Sequence, residues 1–243
     1  MDTFTAGSWI GFGWETFKKR PWFLIGVPVL AFIIVAAIGL ILSELQKLGI
    51  ALVVLAFFVN IYISIVYKMG STNFALKAVA DTASLKVMDY WHPRPFWKYL
   101  GASILTVLCG LAAFVGAAII AGIIAGVGYL IGGTSAAGAC FLVAFIVVAI
   151  IFALFVTLTL MFAPYIVIAE GSGPMKALKE SMRITKGHRW MLLWFIILCL
   201  LLNVVGLICI IIGLFVTIPV TGLAVVHAYR SLSQKAGPSP ITA

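Results

Sequence analysis

The chain has 243 residues, of which 64% are apolar and 9% charged, with a mean hydropathy of +1.22 and a formal net charge of +9. Soluble domains carry about 25% charged residues, so a chain this poor in polar groups is excluded from that class. Nucleic-acid binding would need a basic face on a soluble fold; here the charges mark the ends of apolar segments, which excludes nucleic acid and points to anionic headgroups.

The opening is dense in aromatics, with Phe4, Trp9, Phe12, Trp14 and Phe17, but not cleanly one-sided. Lys18, Lys19 and Arg20 follow, then a first apolar span over 22–42. That stretch is about twice the length of a signal-peptide core and leads straight into a second span, so it reads as a retained span. The second span, 48–67, follows a short turn at 43–47 that carries Glu44 and Lys47. A third block, 99–131, turns at the glycine-rich 132–138 into a fourth span at 139–169. The last block, 189–232, has the length of two spans, with the turn between Gly206 and Gly213 and with Pro219 inside the sixth.

Fifteen of the sixteen Lys and Arg residues fall in the stretches 18–20, 68–98, 176–189 and 230–235. Basic residues stay on the cytoplasmic side during insertion, so the alternation predicts six spans with both termini cytoplasmic. The expected fold is all-α: a polytopic protein of the cell (inner) membrane, with amphipathic interfacial helices on its cytoplasmic side. It forms a single domain over 1–235, followed by a disordered tail at 236–243. Three hairpin units, 1–67, 68–168 and 169–235, share basic-aromatic junctions such as Arg20-Pro21-Trp22, Phe96-Trp97-Lys98 and Arg189-Trp190. Shared interfacial constraints explain such junctions as well as a repeat does.

Over 173–186, Pro174 suits a first helical turn and Gly187 the position beyond the last. Met175, Leu178, Met182 and Thr185 fall on one side, and Lys176, Lys179, Glu180, Arg183 and Lys186 on the other. This is the pattern of a helix lying in the interface, lysines towards headgroups. Leu76, Val79, Ala80, Ala83 and Val87 form a similar stripe after the candidate caps Ser71 and Thr72, and His92-Pro93-Arg94-Pro95 breaks that second helix.

Within the spans no Asp, Glu, Lys or Arg lies deep, which disfavours proton relays. Asn60, Asn203 and Thr157 are the candidate intramembrane polar site, with hydrogen bonding between helices as their structural alternative. His227, near the end of the sixth span, reads as a wet interfacial side chain. Ala118, Gly122 and Gly126 form a small-residue ladder, expected to serve packing within the bundle or between copies. The four cysteines form no CxxC pair, the three histidines have no clustered partners, and P-loop, GxSxG and HExxH motifs are absent, so no enzyme activity, metal or cofactor is expected.

The stretch FAPYIVIAEGSGPMKALKESMRITKGHRW at 162–190 resembles the YciC-like integral membrane family, which is similar to the membrane domain of some bacterial glycerophosphoryl diester phosphodiesterases. The resemblance extends to WETFKKRPWFL near the start and TIPVTGLAVVHAYRSL near the end. It rests on Pro164, Glu170, Gly171, Ala177, Leu178, Ser181, Gly187, Pro219 and Tyr229. It implies a six-span bacterial inner-membrane protein and no phosphodiesterase activity, because the catalytic barrel is missing. Glu170 stands just ahead of the 173–186 helix, where an acid favours the positive N-terminal end or pairs with a cation of another cytoplasmic helix.

The function expected is a non-catalytic membrane module that binds anionic lipid headgroups, a membrane protein partner or a second copy of itself. Lys176, Lys179, Arg183, Lys186, Arg189 and Glu170 are the candidate binding residues. The alternative is a permease or lipid-handling transporter with its site between the spans.

Overall fold

Backbone placed in hydrocarbon must satisfy its own hydrogen bonds, and a helix does so within one segment. The structure, a computed structural model, describes residues 5–47, 49–91, 95–209 and 212–237. Among these no strand occurs, and six helical segments are long and apolar enough to cross a membrane. The expected Phe4, the helix break at 92–94, residue 48 of the second span and residues 238–243 of the tail lie outside the described residues.

Helix α1 (Ala6–Lys19) is capped by Thr5, whose side chain accepts from the Ser8 N–H, and turns at Arg20 into α2 (Pro21–Gln46). Proline at the start of α2 has no N–H to leave unsatisfied. Helix α3 (Ile50–Ala80) returns and runs on well past its apolar part. The separate amphipathic helix expected after Ser71 and Thr72 is therefore corrected: both hydroxyls donate to the Lys68 carbonyl inside the continuous helix (3.0 and 2.9 Å). Ala83 and Val87 lie beyond its end, and only a 3₁₀ turn at Val87–Tyr90 follows.

Helix α4 (Phe96–Leu160) contains two spans, Phe96–Ile131 and Gly138–Glu170, the second completed by α5 (Ala163–Glu170). Gly133 breaks α4 with φ 72° and ψ −160°, a conformation closed to residues with a Cβ. The break between α4 and α5 was not expected from sequence. Pro164 supplies it: its ring cannot sit over the carbonyl of Leu160, and α4 ends there. Helices α6 (Pro174–Thr185), α7 (Arg189–Ile208) and α8 (Ile212–Ala236) complete the chain. At the α7–α8 turn Gly206 and Gly213 touch backbone to backbone: a Cβ on Gly206 would lie 2.6 Å from Thr217 Oγ1 and 3.1 Å from the Gly213 carbonyl carbon.

The aromatic opening packs in large part on the bundle. Trp9 and Phe17 are buried, and Trp9 meets Phe195 of α7 edge-on at 5.2 Å. A Cβ on Gly13 would come within 2.5 Å of the Val220 carbonyl oxygen, so α1 lies directly on α8. Phe12 stacks on His227 at 3.8 Å; the histidine expected to be wet is half-buried beneath an aromatic ring. The small-residue ladder is likewise displaced. Ala117 and Ala121 are fully buried, whereas Gly122 and Gly126 are exposed and a Cβ on either would meet nothing within 4 Å. One residue rotates a helix face by about 100°, which is enough to turn a small-residue ladder from core to bilayer. Helix α1 precedes the α2–α3 hairpin as α6 precedes α7–α8; no separate helix of this kind precedes α4 among the described residues.

Candidate functional site at the basic end

Helices α3, α4, α5 and α8 all end at the face that carries the basic clusters. Each end leaves up to four carbonyls without intrahelical donors. Basic side chains add donors to carbonyls in and just beyond these last turns. Arg230 Nη2 donates to the Leu76 carbonyl in the last turns of α3 (2.8 Å). Arg183 donates to the carbonyls of Ala236 and Gly237 at the end of α8 (2.6 and 2.9 Å). Lys98 Nζ reaches the carbonyl of Gly171, which caps α5 with φ 62° (2.6 Å). Arg20 binds the carbonyls of Thr82 and Ala83 just beyond α3 (3.2 and 3.0 Å) and lies over the Phe23 ring. Cations near helix C-termini also oppose the negative end of the macrodipole. The clusters therefore serve as internal staples as well as topology signals.

Helix α6 is where sequence and structure differ most. Ala177, Leu178, Ser181, Ile184 and Thr185 are buried against the bundle, so Leu178 and Thr185 do not face acyl chains. The Ser181 hydroxyl donates to the Thr159 carbonyl (2.7 Å), one of the orphans left when α4 stops at Leu160. Glu180, expected on the polar side, is only 3% exposed. Arg183 reaches back to it with two hydrogen bonds, at 2.9 and 2.5 Å. That carboxylate raises the Arg183 guanidinium above its already high value. Arg183 thus makes four hydrogen bonds, two to Glu180 within α6 and two that join α6 to the end of α8, and is not a free headgroup ligand. The stretch 236–237, expected to be the start of a loose tail, is held by it.

The other candidates separate cleanly. Arg189 lies over the Phe155 ring at 4.5 Å, with its Nε buried and without a hydrogen-bond partner. Lys176 is half-buried, and Lys179 and Lys186 are exposed. Glu170 is exposed and makes no ion pair within 4.0 Å among the described residues; Glu180, Lys176 and Arg183 all act on it electrostatically. What remains outward on α6 is a stripe of Met175, Lys179 and Met182, continued by Lys186 at its C-cap, all exposed. Their spacing of three to four residues keeps them on one helix face. Trp22, Trp97 and Trp190, each at least 79% exposed at the start of a span, stand at the same end. Indole rings favour the headgroup level, which suits three exposed tryptophans at the starts of spans.

The intramembrane candidates do not converge. Asn60 and Thr157 are exposed, and the Asn60 amide donates to Ala56 of its own helix (3.0 Å). Asn203 is half-buried, donates to Cys199 of its own helix (2.8 Å), and leaves its Oδ1 unpartnered. Sequence reasoning missed Glu180 as a buried anchor. The signal was its position three residues before Arg183, on the side shared with Ala177 and Ile184.

Comparison with protein-family models, with curated proteins and with solved structures gives no match. Fold and site together define a multi-pass, all-helical membrane protein with one basic end.

Proposed function

We propose that the protein is a non-catalytic module of a cell membrane that holds anionic lipid headgroups at its basic end, through the outward face of α6. The observation that carries this reading is the exposed Met175-Lys179-Met182-Lys186 stripe at the end that carries the exposed tryptophans. Methionine offers an adaptable apolar surface to upper acyl segments, while a lysine reaches past it to a headgroup. The resemblance to the YciC-like family and the charge alternation support placing this end in the cytoplasm of a bacterium, at the inner membrane. A permease centred on Asn60, Asn203 and Thr157 has less support, because two of the three face outward and the third bonds within its own helix.

The test is native mass spectrometry of protein extracted into mild detergent and titrated with dioleoylphosphatidylglycerol or dioleoylphosphatidylcholine. Each lysine near an anionic surface contributes about 1 kcal/mol, so Lys179→Gln with Lys186→Gln should weaken retention of the anionic lipid by about tenfold or more. Retention of phosphatidylcholine and the melting temperature should not change. Equal retention of both lipids by the wild-type protein would sink the reading; co-purification of a stoichiometric protein partner or a second copy at this face would replace it.

A further inference from the structure

We propose a second binding site, distinct from the basic end: an acyl-glycerol crevice between α2, α3, α5 and α8. Two adjoining cavities of about 260 and 310 Å³ share Pro28, Tyr67, Ile218 and Pro219. The outer one is walled by carbon, with Ile25, Val29, Phe32 and Phe215, and its mouth residues Phe32, Phe215 and Ile218 are exposed on the span surface. A groove opening there meets bilayer hydrocarbon, so the occupant of this half is an acyl chain.

The inner cavity changes character. Tyr67, Ser71, Thr72 and Tyr165 line it, and no Lys, Arg, Asp or Glu does. Ser71 and Thr72 give their protons to the Lys68 carbonyl; this leaves the Ser71 oxygen as an acceptor, while the Thr72 hydroxyl also meets the Tyr99 side chain. The two shared prolines add to this. Neither has an N–H, so the carbonyls four residues earlier, those of Leu24 and Phe215, lose their helical donors. Leu24 lines the inner cavity and Phe215 the outer one. An uncharged chamber lined by hydroxyl groups at the end of an apolar groove fits a head that brings hydroxyls and no charge. The glycerol of a monoacylglycerol has that chemistry, and a phosphate does not.

Gly222 indicates that the space is built. It lines the inner cavity, and a Cβ there would meet nothing within 4 Å. A mid-helix glycine destabilises by roughly 0.5–1 kcal/mol relative to alanine. No close backbone contact at Gly222 compensates for this, unlike at Gly13 or Gly206. Its effect is to keep the chamber open.

The experiment is a native mass spectrometry titration of delipidated protein with monoolein. Gly222→Leu fills the chamber with apolar volume and should weaken monoolein retention by about tenfold. Gly110→Leu, on α4 and equally without neighbours within 4 Å, should behave as wild type. Retention by Gly222→Leu equal to wild type, or no monoolein bound by wild type, overturns the site. Should Gly222→Leu fail to fold, methyl oleate decides in the wild-type protein. It lacks the glycerol hydroxyls, so weaker binding than monoolein supports the chamber, and equal binding overturns it. Lys179→Gln with Lys186→Gln should leave monoolein retention unchanged, which separates this site from the headgroup face of α6.

Discussion

Arg183 shows how one side chain can change meaning between sequence and structure. On a helical wheel it joins the solvent-facing cations. In the fold it closes over buried Glu180 and over the last carbonyls of α8. Removing a cation from a buried carboxylate leaves an uncompensated charge, while removing both partners does not. Arg183→Gln should therefore lower stability by about 1–3 kcal/mol. The Glu180→Gln, Arg183→Gln double variant should recover part of the loss, read as melting temperature in detergent. Additive losses would show that the pair is not coupled.

Asp81 gives a pH signature at the same scale. The Ala83 N–H bonds its carboxylate (2.9 Å) and, with Ser84 and Lys19 assisting, holds it below the usual carboxylate range. A depressed carboxyl stabilises the fold above its ordinary value, and that contribution is lost as pH falls through the folded one. Hydrogen exchange at Ala83 and Ser84 should accelerate as pH drops below the ordinary aspartate range, after correction for intrinsic rates. In Asp81→Asn that acid-dependent step should be absent.

At the scale of the element, α1 showed only aromatic density in the sequence, while α6 was legible as a helix from its first-turn proline, its terminal glycine and its periodicity. Which neighbour covers each of them was not legible. Amphipathicity states that one face leaves water, but bilayer and protein satisfy it equally. Contact with α8 decided the matter for α1, so Gly13→Leu should cost about 1–3 kcal/mol by overpacking against Val220 and Ala224. The same substitution at Gly11, where a Cβ would meet nothing within 4 Å, should be tolerated; comparison of detergent melting curves checks both. For α6 the decisive group was the orphan Thr159 carbonyl, created where Pro164 stops the preceding helix. Of the six candidate binding residues, Glu170, Lys179 and Lys186 remain exposed, whereas Arg183 is taken up by the carbonyls of Ala236 and Gly237, partners too distant in sequence for a local pattern to assign.

Across the whole molecule, the six apolar segments and the collection of basic clusters at one end follow from the alternation of charge and hydrocarbon. The hydrogen bonds Arg20–Thr82, Lys98–Gly171, Arg183–Ala236 and Arg230–Leu76 tie that end together. Sidedness is measurable. With Cys109, Cys140, Cys199 and Cys209 replaced, single cysteines at positions 47 and 186 should label from opposite sides of sealed vesicles, with 186 reacting only from the cytoplasmic side. Labelling of both from one side would overturn the topology.

The amino-acid sequence by itself determined that this protein is a helical membrane protein of six spans and placed its charges at the span ends. Hydrophobic length and charge position are local quantities, and the bilayer reads them locally. Tertiary structure alone decided which cations are bound to carbonyls and which stay free. It also turned the small-residue ladder outward and opened a crevice beside two prolines. Those outcomes depend on which helix ends meet, and no single segment contains that information.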